Sequence, residues 1–62
     1  MTAIIDTGIE IQKREIVGYQ PLSDRFLLNE IMPDGSHDYN AYYPEDYVSI
    51  TIGDFIYYGR NQ

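Results

Sequence analysis

Between residues 25 and 52, apolar and polar positions alternate with a period of two. Phe26 and Leu28 fall on one side, Leu27 and Asn29 on the other; further on, Val48, Ile50 and Ile52 oppose Tyr47, Ser49 and Thr51. Successive side chains of an extended chain point to opposite faces, so this pattern predicts half-buried strands. Pro33-Asp34-Gly35-Ser36 separates two such runs. Pro presets φ for a first turn position, Asp bonds its own backbone and Gly takes a positive φ without a Cβ clash, so a hairpin is expected there. Gly53-Asp54 reads as a second, two-residue hairpin turn leading into a last strand, Phe55-Ile56-Tyr57-Tyr58.

Upstream, Ile9 and Ile11 alternate with Glu10 and Gln12, and residues 14–19 continue the strand or form a second arm, with a bend or bulge at Gly18. Ala3-Ile4-Ile5 is a further short strand candidate, broken by Asp6-Thr7-Gly8. Gln20-Pro21-Leu22-Ser23-Asp24 reads as a loop, because Pro cannot donate to a central ladder. A helix over residues 22–32, capped by Ser23, is the competing reading; the run alternates and stops at Pro33, which favours a strand. Tyr43-Pro44-Glu45-Asp46-Tyr47 is a corner with one turn of 3-10 helix, acidic at its positive end. Gly59-Arg60-Asn61-Gln62 is expected to fray.

Five to six short strands with turn signals at regular spacing predict an all-β fold, a small antiparallel barrel in one domain. Its expected core is Ile9, Ile11, Ile16, Val17, Phe26 or Leu27, Leu28, Ile31, Ala41, Val48, Ile50, Ile52 and Phe55.

The segment Tyr43-Pro44-Glu45-Asp46-Tyr47-Val48-Ser49-Ile50 resembles the end of an SH3-type barrel, where a Pro and a Tyr bracket a 3-10 turn and a β-branched residue opens the last strand. The preceding hairpin, residues 25–43, fits the middle of such a barrel, so the resemblance covers about half of the chain. It implies the fold alone. The entry reads Ile4-Ile5-Asp6-Thr7-Gly8 rather than the aromatic motif of true SH3 domains, and there is no Trp to line a Pro-rich peptide groove. Residues 53–58 also extend past the usual end.

Composition narrows the function. A chain of 62 residues buries only about 60% of its unfolded surface, and without Cys it has neither disulfide nor thiolate metal site to brace it. Ten acidic residues against four basic give a formal charge of −6. That disfavours double-stranded nucleic acid, which needs Lys and Arg to displace counterions, and it disfavours an anionic membrane. It permits a protein partner with a basic surface or mimicry of a polyanion, beside the plain reading that net charge keeps a small protein in solution. No stretch approaches the roughly 18 apolar residues of a membrane span, and residues 1–8 lack the basic start and apolar run of a signal peptide, so a cytoplasmic protein is expected.

Asp34, Ser36, Asp38 and Glu45 match calcium-loop positions 1, 3, 5 and 12, but Tyr39 stands where the sharp turn needs Gly. His37, the single His, lacks the further ligands of a zinc site. Ser23, Ser36 and Ser49 lie in no nucleophile elbow, and so small a chain leaves little room for a pocket of roughly 300 Å³. No enzyme, cofactor or metal is expected. Adjacent carboxylates such as Glu45 and Asp46 read as a solvated cap.

The seven tyrosines carry the sharper signal. Alternation puts Tyr39, Ala41 and Tyr43 on one face and Asn40 and Tyr42 on the other. So small a barrel cannot enclose every Tyr. Tyr is favoured in strands generally, and those left outside suit an interface. The expected partner-binding surface is Tyr39, Tyr42, Tyr43, Glu45, Asp46, Tyr47, Tyr57 and Tyr58. The first expectation is therefore an acidic, Tyr-rich interaction module, a small inhibitor or nucleic-acid mimic of the kind that phages and bacteria encode. The second is an assembly protein joining copies through edge strands, for instance through Phe55 to Tyr58. The third is a barrel stacking single-stranded nucleic acid on its tyrosines, which would also want a basic groove.

Overall fold

The computed structural model describes residues 1–60 and is all-β. Its strands are β1 (Thr2–Asp6), β2 (Ile11–Pro21), β3 (Phe26–Ile31), β4 (His37–Tyr42), β5 (Ser49–Ile52) and β6 (Phe55–Tyr58), with one 3-10 turn, η1 (Pro44–Asp46), between β4 and β5. They form a six-stranded sheet in the order β4-β3-β2-β1-β5-β6, every neighbour antiparallel. The expected barrel closure is not made by backbone hydrogen bonds, because β4 and β6 end the sheet without pairing with each other. The sheet instead bends over its own inner face. Tyr57 on β6 meets Phe26 on β3 edge-on at 4.9 Å and Tyr19 on β2 at 6.0 Å, and Tyr19 stacks on Phe26 at 5.9 Å.

The long β2 makes the bend. Its first half pairs with β1 and its second half with β3, and the register slips between Ile16 and Gly18. Such a bulge leaves one extra residue and increases the local twist. Here Val17 is the extra residue, pushed out to solvent. The strand runs through Gln20 and Pro21, which were expected in a loop; Pro21 closes the pairing opposite Phe26, at a strand end where no N–H is needed.

The core is Ala3, Ile5, Ile16, Phe26, Leu28, Tyr47, Ile50 and Ile52. Several expected members lie outside it, and parity explains most of them. On β2, Gln12 and Arg14 oppose the buried Ile5 and Ala3, so Ile11, opposite Asp6, faces outward. Ile9 sits in the β1–β2 turn and is 95% exposed. On β3 the inward set is Phe26, Leu28 and Glu30, which turns Leu27 and Ile31 out. Ala41 lies on the outer side of β4, and Val48 is only half-buried. Phe55 is on the same side as the buried Ile52, yet at the turn end of an edge strand it remains 65% exposed.

Tyr47 is the converse case, expected on the outer face of a strand and found 4% exposed. It lies outside β5: η1 ends at Asp46, and the extended backbone of Tyr47 (φ −140°, ψ 153°) turns its ring inward. The corner is clamped to the end of β6. The N–H of Gly59 donates to Val48 O at 2.9 Å and that of Arg60 to Pro44 O at 2.7 Å. A Cβ on Gly59 would stand 2.1 Å from Tyr47 O and 2.6 Å from Pro44 O, so only Gly permits this approach. Asn61 and Gln62 of the expected frayed tail lie outside the described residues. Gly35 and Gly53 adopt positive φ in the two hairpin turns, as their placement in the sequence required.

Candidate interaction surface

Edge strand β4 and the corner that follows it carry most of the candidate residues, and the two faces of β4 do different work. Asn40 and Tyr42 point inward to one carboxylate. Glu30, 5% exposed, accepts from Asn40 Nδ2 at 3.0 Å and from the Tyr42 hydroxyl. Arg14 Nε lies 3.9 Å from the same carboxylate. A buried carboxylate is costly unless its lone pairs are engaged. Here an amide, a phenol and a guanidinium from β4 and β2 supply the partners. Burial, and then the neighbouring Glu30 carboxylate, push the Tyr42 phenol up to about 12. Glu30 has no counterpart among the sequence expectations, although its position two residues after Leu28 on an inward-facing set was visible.

The outer face of β4 presents Tyr39 and Ala41 to solvent, and Tyr43, just past the strand, continues the alternation the sequence predicts. Tyr43 already holds a cation: the Arg25 guanidinium lies over its ring at 5.7 Å. Arg25 is also paired with Asp24 at 3.0 Å. Glu45 and Asp46 follow on η1, both exposed. Among the expected surface residues, Tyr39, Tyr43, Glu45 and Asp46 therefore lie along one edge and its corner. Tyr58 is exposed on the opposite edge strand. Tyr47, Tyr57 and Tyr42 serve the interior: Tyr47 in the core, Tyr57 against Phe26 and Tyr19, and Tyr42 on Glu30.

One further feature was not expected. Met1, Ile4, Tyr19, Ile52 and Phe55 line an open, mostly apolar groove of about 580 Å³ beside the β5–β6 turn, larger than so short a chain was expected to offer. Beside it, β6 shows Phe55, Ile56 and Tyr58 to solvent without a charge among them.

The first two calcium-loop positions are engaged with each other. Asp34 Oδ1 accepts from the Ser36 N–H at 3.0 Å and its hydroxyl at 2.6 Å, closing the β3–β4 turn on itself. Those two bonds hold its carboxyl below the usual range. Among the described residues, no group of three or more His, Asp or Glu is placed to hold a metal ion, and no helix is long and apolar enough to cross a membrane. No family model, no curated protein and no solved structure matches the chain.

Proposed function

We propose that this chain is a non-enzymatic interaction module that docks on a basic protein partner through the outer face of β4 and the η1 corner. The observation that carries the reading is the pair Tyr39 on β4 and Tyr43 just past its end, both solvent-facing and continued by the exposed Glu45 and Asp46. Tyr offers rigid area with a polar tip at little entropic cost, and carboxylates at the rim steer a basic surface into place. The Arg25 guanidinium over Tyr43 is an intramolecular instance of the contact a partner arginine would make. The net charge of −6 extends the attraction beyond the contact itself. One form this docking takes is inhibition, with the module occupying a cleft that otherwise holds a polyanion.

The SH3-like scaffold belongs to the same proposal. It is supported by the hairpin β3–β4, the 3-10 turn at Pro44–Asp46 bracketed by Tyr43 and Tyr47, and β5 following at once. On this reading β6 is an addition at the sheet edge.

The test is capture of partners on immobilised protein from a lysate of the source cells, quantified at low and raised salt. A basic protein is expected, retained less as salt rises and less by the Glu45→Gln/Asp46→Asn variant. Tyr39→Ser/Tyr43→Ser should weaken binding about tenfold or more. Retention unchanged across salt removes the steering claim, and retention unchanged in the tyrosine variant removes the surface.

A further inference from the structure

We infer that β6 is a self-recognition strand, through which two copies of this chain form a two-fold dimer with one sheet running across both. Natural sheets blunt an exposed edge with Lys, Pro, a bulge or an inward charge. β6 has none of these. Its residues are Phe55, Ile56, Tyr57 and Tyr58, bounded by Asp54 before and Arg60 after. Phe55, Ile56 and Tyr58 are each more than half exposed.

The backbone shows which groups are free. Phe55 and Tyr57 pair with Ile52 and Ile50, and the Gly59 N–H donates to Val48 O, so the odd-numbered residues bond toward β5. The alternation of an antiparallel ladder then leaves the N–H and C=O of Ile56 and Tyr58 aimed away from the sheet. The next even residue is already engaged, because the Arg60 N–H donates to Pro44 O. The η1 corner therefore covers the edge beyond Tyr58.

This fixes the register. A two-fold axis between antiparallel copies of one strand must pair residues of the same face, so it passes beside Ile56 or beside Tyr57. Centring on Tyr57 would set Asp54 of the second copy against Arg60, where Pro44 stands. Centring on Ile56 avoids the corner. Ile56 then pairs with Ile56 of the second copy on the outer face, and each exposed Phe55 meets Tyr57 of the second copy on the inner face. Asp54 falls diagonally from Arg60 of the second copy, within reach of a long side chain. An uncharged strand with an acid at one end and a base at the other matches itself only when reversed, which is why a second copy is the occupant. Asp54 and Arg60 make no ion pair within the chain among the described residues. Four residues of strand make a small interface, so the dimer is weak and its population depends on concentration.

The chain has no Cys, which makes the test clean. Sedimentation of the full chain from micromolar to millimolar concentration should show a monomer–dimer equilibrium. Ile56→Lys, which sets two ammonium groups face to face on the axis, should abolish it with the dichroism spectrum unchanged. Asp54→Arg should weaken it, and Asp54→Arg with Arg60→Asp should restore it. Ile56→Cys should cross-link to a covalent dimer in air, since directly opposed residues have a Cα separation suited to a disulfide, while the exposed Val17→Cys should not. A strict monomer throughout, a dimer indifferent to Ile56→Lys, open-ended assembly, or equal cross-linking of the two Cys variants would each overturn the proposal.

Discussion

The two ends of the sheet are both edge strands, yet they are held by opposite means. β4 is tied down by polar groups: Asn40 and Tyr42 reach Glu30, with Arg14 on its far side. β6 is tied down by aromatic packing, Tyr57 against Phe26 and Tyr19, and by the backbone clamp at Gly59 and Arg60. The difference reaches the outer surface. β4 begins with His37 and Asp38 and runs into the acidic corner, so another bare strand meets charge there. β6 has no charge between Asp54 and Arg60. An edge anchored by a polar network can spend its outward side chains on a chosen partner, whereas an edge anchored by aromatic packing and a backbone clamp leaves an uncharged backbone ladder open.

The clamp is the most sensitive point of the comparison. Gly59→Ala drives a methyl into the backbone oxygens of Tyr47 and Pro44, neither of which can swing aside as a side chain does. It should destabilise the fold by about 3 kcal/mol, the upper end of overpacking costs. In a domain this small that is a large share of the total. A thermal melt unchanged by the substitution would remove Gly59 as the tie between β6 and the corner.

The polar anchor of β4 should fail less severely. Glu30→Ala orphans the Tyr42 hydroxyl and the Asn40 amide and leaves Arg14 without its acid, and should cost about 2 kcal/mol. Glu30→Gln keeps an acceptor and should cost about half as much. Amide exchange resolves where the loss falls: β4 should lose protection first while β5 and β6 keep theirs. Equal loss at both edges would contradict the separate anchoring.

The smallest effect is a pH dependence. The Tyr42 phenol titrates at an ordinary value of 10.0 when unfolded and is pushed up to about 12 in the fold, by burial first and then by Glu30. A folded value above the unfolded one means that the contribution is whole below the unfolded value. It is lost as pH rises from there toward the folded value. Denaturant midpoints should therefore fall between pH 10.0 and about 12, and Tyr42→Phe should flatten that slope. An identical slope in the variant would assign the titration to another group.

Much of this was legible in the chain, because turn chemistry and alternation act locally. Pro33-Asp34-Gly35-Ser36, Gly53-Asp54 and Tyr43-Pro44-Glu45-Asp46-Tyr47 became the turns and the corner they announced, and Tyr39, Ala41 and Tyr43 share the outward face that a period of two assigns them. Glu30 was not recognised, since a charged residue between apolar neighbours carries no local sign that Asn40, Tyr42 and Arg14 will converge on it.

What the sequence determined by itself is therefore the all-β class, the two hairpin turns and the corner, and the alternation within β5. What only the tertiary structure decided is which parity of each strand meets the interior where pattern alone is ambiguous. The bulge at Val17 and the pairing of β1 between β2 and β5 bury Ala3 and Ile5 and expel Ile9 and Ile11, although the isoleucines look equally apolar along the chain. The corner likewise swings Tyr47 inward against Gly59. Alternation specifies that two faces exist; contacts between residues distant in sequence specify which of them is dry.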